Sequence, residues 1–246
     1  DGSYTFTATA TDVAGNSASA SYTWLVDTVD PTVSLADGPA AETSSTTADL
    51  TVTSADASSG LASTTCTIDG AATTCGDALS GLADGSHSYV ATATDDAGNS
   101  ASATHTWLVD TTDPAVAISD SPSDPNNSDA ADFTVTSSDD GSGLASTTCE
   151  LDGVAQADCG GVVSGLADGS HTFTATATDD AGNSASASHT WLVDTTDPSV
   201  SITANPDAET NSQSASFTFS TSDGGSGLAT ITCDLDGSSA ACTDSA

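Results

Sequence analysis

The chain has 246 residues, of which 35 are Asp or Glu, none is Lys or Arg and four are His, and its formal net charge is −35. This charge repels phosphate backbones and anionic lipid headgroups, which argues against direct binding to nucleic acid or to a membrane surface. Because Lys and Arg are absent, each carboxylate must be solvated, hydrogen-bonded to backbone N–H groups, or neutralised by a metal ion.

Nearly the same segment occurs three times along the chain, at residues 1–35, 84–118 and 168–202. The starting positions lie 83 and 84 residues apart, which is too long for a solenoid unit and close to the size of a small β-sandwich domain. The sequence therefore predicts whole repeats at 28–110 and 111–194. Residues 1–27 are predicted to supply the last two strands of another repeat, and residues 195–246 the first strands of a further one.

These partial repeats leave two interpretations open. In the first, the sequence is a window on a longer array. In the second, the C-terminal half-repeat of one subunit pairs with the N-terminal half-repeat of the next, which gives a head-to-tail filament. In both, a half-sandwich exposes strand edges and apolar faces that a complementary half must cover.

Within the repeat at 111–194, short segments alternate apolar and polar residues, and no stretch shows the 3.6-residue period of a helix. Turn residues separate them, which predicts seven short antiparallel strands in a sandwich. The predicted strands are Ala115–Ile118, Asp132–Ser137, Ser146–Leu151, a return strand beginning at Ala157–Cys159, Val162–Leu166, an alternating strand from His171 to Ala177, and Ser184–Val193. The predicted turns are Asp139–Gly143, Asp152–Gly153, Asp168–Gly169 and Asp179–Asn183.

The repeated string CxLDG…C…GLADGSHxFxxxATDxAGNxSxxxxxWxVDTTDP resembles the bacterial immunoglobulin-like, fibronectin type III-like repeats of giant surface adhesins and cell-wall-associated proteins. The resemblance covers the whole chain. It implies an all-β fold of tandem sandwiches in an extended head-to-tail array, with strands labelled A, B, C, C′, E, F and G. It also implies an extracellular location at a cell surface or in a secreted fibre, with neighbouring repeats or identical subunits as partners.

Six cysteines form three close pairs, Cys66 with Cys75, Cys149 with Cys159, and Cys233 with Cys242. Even, regularly repeated pairs in an acidic chain rich in Ser and Thr predict disulfides and an oxidising compartment. Zinc is the competing interpretation, but no His or further Cys recurs at ligand spacing beside each pair. A four-residue loop at Asp69–Ala72 is predicted to place Cys66 opposite Cys75 in the hairpin of strands C and C′.

Each repeat carries one Trp on its last strand, Trp24, Trp107 or Trp191, and this residue is predicted to supply much of a core that is otherwise poor in aromatics. His87 and His171 align with Tyr4, whereas His105 and His189 align with Tyr22. Exchange between His and Tyr predicts half-buried, hydrogen-bonding aromatic residues and argues against metal ligands or general bases.

Three sets of acidic or amide side chains recur, and they are the candidate metal ligands. The linkers between repeats carry Asp27, Asp30, Asp110, Asp113, Asp194 and Asp197. The loops between strands B and C carry Asp56, Asp139, Asp140 and Asp223. The loops between strands F and G carry Asp95, Asp96, Asn99, Asp179, Asp180 and Asn183.

In a sandwich of this topology, the start of strand A and these two loops lie at the same pole. Oxygen ligands in that number are what Ca²⁺ requires, so the sequence predicts Ca²⁺ sites at the junctions between repeats. The alternative is that Asp and Asn recur there because they cap the backbone of turns. Cation dependence of stability separates the two interpretations.

The expected function is structural. The near-identity of the repeats favours a stalk or filament segment that spaces or builds a surface fibre, with linkers stiffened by Pro31, Pro114 and Pro198. The alternative is an adhesin module that binds glycan or protein ligands through its polar loops. An enzyme is not expected, because paired cysteines leave no free thiol, Lys is absent, and the histidines exchange with Tyr.

Overall fold

The computed structural model describes residues 1–240 and 242, and in this part of the chain every regular element is a β-strand. The predicted all-β fold is therefore confirmed. None of the described segments forms a helix long and apolar enough to cross a membrane. The last positions of the predicted 195–246 partial repeat, 241 and 243–246, lie outside the described residues.

The chain divides into two compact units. The first comprises residues 1–113 together with two loop segments, 139–143 and 179–183, and the second contains 114–138, 144–178 and the residues from 184 onward. This division neither follows nor tests the repeat boundaries expected from the sequence, which stay a prediction.

The first unit contains a separate hairpin and one sandwich. The hairpin pairs β1 (Gly2–Thr11) with β2 (Ser17–Val26) over ten residues. In the sandwich, a two-stranded sheet, β3-β5, faces a five-stranded sheet of order β4-β9-β8-β6-β7. The strands of this sandwich are β3 (Thr32–Ala36), β4 (Glu42–Thr43), β5 (Thr51–Ala55), β6 (Leu61–Ile68), β7 (Ala71–Thr73), β8 (Gly85–Asp95) and β9 (Ser100–Val109).

The second unit holds the next sandwich, built from a three-stranded sheet, β10-β11-β14, and a four-stranded sheet, β13-β12-β15-β16. Two further hairpins, β17-β18 and β19-β20, follow it. The strands are β10 (Ala115–Asp120), β11 (Ala130–Ser138), β12 (Leu144–Leu151), β13 (Val154–Ala155), β14 (Gly161–Ser164), β15 (Gly169–Asp179), β16 (Ser184–Val193), β17 (Ser199–Ala204), β18 (Thr218–Ser222), β19 (Cys233–Leu235) and β20 (Ser238–Ala240).

Each sandwich has its own core, set by the two-residue alternation of its strands. Along β15, Phe173, Ala175 and Ala177 are buried while the threonines between them are half-buried. Phe173 stacks on Phe133 with ring centroids 4.0 Å apart, and Phe133 meets the edge of Trp191 at 5.3 Å. The predicted core role of tryptophan holds for Trp107 and Trp191, which are 2% and 1% exposed.

The β1–β2 hairpin carries the same aromatic face without a covering sheet. Tyr4, Phe6, Tyr22 and Trp24 are 48%, 65%, 71% and 42% exposed. The predicted core position of Trp24 is thus exposed in this structure, because β1 and β2 pair only with each other and no second sheet of the described chain covers their aromatic face.

Two details of the predicted strands are wrong. The return strand is β13, two residues after β12, and not Ala157–Cys159. Asp152 and Gly153 both adopt positive φ, 50° and 78°, and this two-residue turn reverses the chain at once. The same turn at Asp69–Gly70 places Cys66 opposite Thr73, so Cys75 lies two residues beyond the position predicted for it.

Candidate metal centres

Three carboxylates that lie far apart in the sequence converge in the first unit. Asp110 follows β9 and begins the linker, Asp139 begins the loop after β11, and Asp179 is the last residue of β15. One carboxylate oxygen from each lies within 4.8 Å of the other two. Asp110 and Asp179 are only 3% and 2% exposed, and Asp139 is half-buried. We call this set the Asp110 cluster.

Backbone and side-chain donors hold these carboxylates in place. Asp110 Oδ2 accepts hydrogen bonds from the Ser142 backbone N–H at 2.6 Å and from the Ser142 hydroxyl at 2.7 Å. The hydroxyl bond first, and then the backbone bond, hold the pKa of the Asp110 carboxyl below its usual value. Asp139 Oδ2 accepts from the N–H groups of Gly141 and Gly143 at 3.0 and 2.8 Å.

Asn183 joins the third carboxylate to the linker. Its backbone N–H donates to Asp179 Oδ1 at 2.7 Å. Its Nδ2 donates to Asp179 Oδ2 at 2.7 Å and to the backbone carbonyl of Asp110 at 2.8 Å. The asparagine therefore positions the cluster through its amide N–H groups.

The same arrangement occurs one repeat earlier, at Asp27, Asp56 and Asp95, which we call the Asp27 cluster. Asp27 Oδ2 accepts from the Ser59 N–H at 3.0 Å, and Asp95 Oδ1 accepts from the Asn99 N–H at 2.8 Å. Asp27 is 8% and Asp95 is 1% exposed, while Asp56 is half-buried. Two independent repeats thus bring the same three positions together.

The donor set of both clusters fits a hard divalent cation. Ca²⁺ binds oxygen atoms at about 2.3–2.6 Å, so two oxygens on one ion are at most about 5 Å apart. The 4.8 Å limit within each cluster meets this condition. Since the chain contains no Lys or Arg, no such side chain is available to neutralise these buried carboxylates.

Six of the predicted metal ligands are brought together, and the other ten are not. Six of the latter are exposed aspartates outside the two clusters: Asp30, Asp96, Asp113, Asp140, Asp180 and Asp197. Asn99 and Asn183 act as hydrogen-bond donors to Asp95 and Asp179. Asp194 and Asp223 repeat the first two positions of a cluster, but no third carboxylate joins them within residues 1–240 and 242.

A second set of aspartates fixes the linkers, and the sequence reasoning missed it. Asp84, just before β8, accepts hydrogen bonds from the Thr111 N–H at 3.1 Å and from the Thr111 hydroxyl at 2.9 Å. Asp168 makes the equivalent bonds to Thr195 at 2.9 and 2.7 Å. The signal in the sequence is the constant 27-residue separation between the Asp of each DGS and the first Thr of the linker.

The three predicted cysteine pairs are the bonded pairs of the structure. Their Cα atoms are 5.2 Å apart in Cys66–Cys75, 5.2 Å in Cys149–Cys159 and 5.6 Å in Cys233–Cys242. No cysteine of the described chain is free. Each disulfide closes a short loop around a C–C′ hairpin turn.

Comparison with known proteins yields structural likeness alone. No protein-family model matches the chain, and no curated protein matches it. Among solved structures, the fibronectin(III)-like modules of Clostridium thermocellum CbhA match at 18% identity over 66% of this chain and 94% of theirs, with a TM-score of 0.40. A tetra-tandem repeat in the extending region of a large adhesion protein matches at 24% identity over 83% of this chain, with a TM-score of 0.31.

A protocadherin gammaB7 EC3–6 cis-dimer structure matches at 20% identity over 82% of this chain, with a TM-score of 0.31. The match spans 60% of the length of both the adhesion-protein structure and the protocadherin structure. At these identities the likeness concerns the fold. The matched structures include fibronectin(III)-like modules and tandem repeats of a large adhesion protein, the classes that the sequence is predicted to resemble.

Proposed function

We propose that this chain is a structural segment of an extracellular surface protein, in which tandem sandwiches space a binding tip or build a fibre. The observation that carries the proposal is the composition of the two acidic clusters. Each takes one carboxylate from a linker, one from a B–C loop and one from an F–G loop. A cation bound there would fix a linker to the sandwich that follows it and so stiffen the array.

The hydrogen bonds of the linker support the same role. Asp84 and Asn183 bind opposite ends of the segment from Asp110 to Thr111, through the Thr111 side chain and the Asp110 carbonyl. The linker is therefore held by its neighbours even without an ion. The three disulfides of the described residues agree with an oxidising, extracellular setting.

The supporting chemistry is structural rather than enzymatic. The buried carboxylates accept hydrogen bonds from backbone N–H groups, and every described cysteine is in a disulfide. We therefore favour a structural role over an enzymatic one. Glycan or protein binding through the polar loops is the alternative, and binding of a glycan array by the purified chain at fixed Ca²⁺ would favour it.

The cation proposal is tested by thermal unfolding of the full chain in chelator and in millimolar Ca²⁺, with Asp139→Asn and Asp140→Asn as matched variants. Both remove one negative charge from the same loop, but only Asp139 belongs to a cluster. Ca²⁺ at 100 times its dissociation constant adds about 2.7 kcal/mol to the stability of the repeat that binds it, which raises the melting temperature of so small a domain by about 11–22 °C.

We expect wild type and Asp140→Asn to show this increase in full, Asp139→Asn to lose the share of the second repeat, and Asp56→Asn with Asp139→Asn to lose nearly all of it. Solution scattering on the same samples should show the maximum dimension shrinking on chelation. If melting and shape ignore Ca²⁺ in wild type, the aspartates are turn caps and the ion-stiffened array is wrong.

A second candidate role follows from the uncovered hairpin. We propose that the aromatic face of β1–β2 is completed by an A-to-C′ half-repeat, either from a continuous array or from an identical subunit. The equivalent hairpin, β15–β16, buries Phe173 and Trp191, whereas Phe6 and Trp24 are exposed. Sedimentation over a range of concentrations distinguishes the two sources, because only the subunit route gives association that Phe6→Ser with Trp24→Ser abolishes.

A further inference from the structure

Both ring nitrogens of His87 face hydrogen-bond acceptors. Nδ1 lies 2.8 Å from Asp69 Oδ2 in the turn between β6 and β7, and Nε2 lies 2.8 Å from the backbone carbonyl of Ala83. The imidazole thus bridges the C–C′ turn to the segment that leads into β8. The ring is buried, since its side chain is only 10% exposed.

Only one protonation state of the imidazole satisfies both of these contacts. A neutral imidazole has one N–H donor and one acceptor nitrogen, so it satisfies one of these neighbours and turns a lone pair towards the other. A backbone carbonyl accepts only, and an ionised carboxylate accepts only. Only the imidazolium ion, with two N–H donors, makes both 2.8 Å contacts favourable.

The second repeat has the same arrangement. His171 Nδ1 lies 2.8 Å from Asp152 Oδ2, and His171 Nε2 lies 2.8 Å from the Ala167 carbonyl. Each aspartate is also held by the strand that carries the histidine, because Asp69 Oδ1 accepts from the Ser88 N–H and Asp152 Oδ1 from the Thr172 N–H, both at 2.8 Å. A single imidazolium thus completes a closed set of hydrogen bonds in each repeat.

Each of the two imidazole rings has one charged side chain beside it in the described chain. Trp107 on β9 contacts His87 with ring centroids 5.7 Å apart, and Trp191 contacts His171 at the same distance. Within the described chain, Asp69 and Asp152 are the charged partners of these two rings. Both aspartates are about half exposed, at 46% and 45%, so water keeps their carboxylates ionised.

We propose that His87 and His171 are imidazolium ions that fasten each C–C′ turn to strand F, and that each repeat loosens as these ions lose their protons at rising pH. They are then the internal cations of a chain without Lys or Arg. The first repeat segment uses Tyr4 at the aligned position, which offers no such charge.

Electrostatics agree with the geometry. Burial of His87 opposes its charge, but the hydrogen bonds to the Ala83 carbonyl and the Asp69 carboxylate outweigh burial and raise the pKa of His87. The Ala167 carbonyl, followed by the Asp152 carboxylate, raises the pKa of His171. Because the folded-state pKa is raised, this stabilisation is complete below the unfolded value of about 6.5 and is lost as pH rises through the folded value.

The chain supplies its own comparison residues. His105 and His189 each have one acceptor at Nε2, the carbonyls of Pro39 at 3.0 Å and of Pro122 at 3.1 Å. A neutral ring with its proton on Nε2 satisfies that single contact. The predicted hydrogen-bonding role of all four histidines therefore separates into two classes that differ in the number of N–H donors required.

The test is nuclear magnetic resonance of the imidazole nitrogens in the full chain, titrated from acidic to alkaline pH at constant Ca²⁺. We expect His87 and His171 to keep both N–H protons at a pH where the histidines of the urea-unfolded chain are half deprotonated. Asp69→Asn, which suits the positive φ of that turn, should lower the pKa of His87 and leave that of His171 unchanged. Asp152→Asn should do the reverse.

Thermal unfolding gives an independent readout. The wild-type chain should lose stability above neutral pH, and His87→Tyr with His171→Tyr should remove that loss. If this double variant fails to fold, the aspartate variants still decide by their effect on each histidine. Titration of His87 and His171 at the unfolded-chain pKa, or no response to Asp69→Asn, overturns the proposal.

Discussion

Removing the side-chain amide of Asn183 should destabilise its repeat more than the same change at the equivalent residues Asn99 and Asn16. The amide Nδ2 donates to the Asp110 carbonyl at 2.8 Å and to the Asp179 carboxylate at 2.7 Å. A bond to a neutral acceptor contributes about 0.5–1.5 kcal/mol, and a bond to a charged one about 1.5–3 kcal/mol. Asn183→Ala should therefore reduce local stability by about 2–4 kcal/mol.

The motif AGN supplies two matched controls. In the first sandwich, Asn99 Nδ2 makes the same pair of bonds, but its bond to the Asp27 carbonyl is longer, at 3.2 Å. In the exposed β1–β2 hairpin, Asn16 Nδ2 donates to Asp12 at 2.9 Å. The expected order of destabilisation is Asn183→Ala, then Asn99→Ala, then Asn16→Ala.

Hydrogen exchange read by mass spectrometry assigns a loss of stability to a particular hairpin, whereas a melting curve of the full chain reports the summed response of its repeats. A loss of 2–4 kcal/mol corresponds to exchange about 30- to 700-fold faster in the β15–β16 hairpin, since about 1.4 kcal/mol is tenfold. The measurement should be made in chelator, so that cation binding does not contribute. Equal effects from all three variants would refute the reasoning, because the linker bond would then contribute nothing.

Three further predictions follow from the same structure. Replacing Cys66 and Cys75 by Ala should lower the stability of the first sandwich, because the unfolded chain regains the entropy of the closed loop; since the loop is short, the loss should be only about 2.5 kcal/mol. Chemical unfolding of the variant, compared with the oxidised wild-type chain, measures this loss. Gly141→Ala should destabilise the second B–C loop by about 1–3 kcal/mol and weaken any cation response, because a Cβ there would overlap the Asp110 carboxylate; unaltered calcium-dependent melting would contradict this. Stability should also fall in acid, since the lowered pKa of Asp110 gives stabilisation that is present above about pH 4 and lost as pH falls through the folded-state value, which a pH series of unfolding curves measures.

The strands could be predicted because local chemistry determines them. Alternation of Phe173, Ala175 and Ala177 with threonine defines both the strand and its buried face. The cysteine pairs could be predicted because their spacing is short and repeats. The return strand β13 could not, because its position depends on the positive φ of Asp152 and not on any apolar pattern of its own.

The acidic clusters could be predicted only in outline. Sequence places Asp139 and Asp140 side by side in one loop, and nothing in their chemistry separates them. In the fold, Asp139 caps the N–H groups of Gly141 and Gly143, which turns its carboxylate towards Asp110, while Asp140 remains exposed. The part played by Asp84 was missed because its partner, Thr111, is 27 residues away.

The short strand β4 determines how the first sandwich responds to a pulling force. It runs parallel to β9, the last strand of the same repeat, and pairs Glu42 with Leu108 and Thr43 with Val109. Two further backbone bonds extend this pairing, from the Leu108 N–H to the Ala41 carbonyl at 2.8 Å and from the Asp110 N–H to the Thr43 carbonyl at 3.0 Å.

Tension applied at the two ends of this repeat draws parallel strands past one another, so these bonds carry the load together and must break together. The second repeat has a smaller version, in which Asn126 bonds to Leu192 and Asp194 at 2.8 and 2.9 Å. An array built from such units would resist extension repeat by repeat, because in each sandwich a segment that follows the first strand is paired in parallel with the last strand.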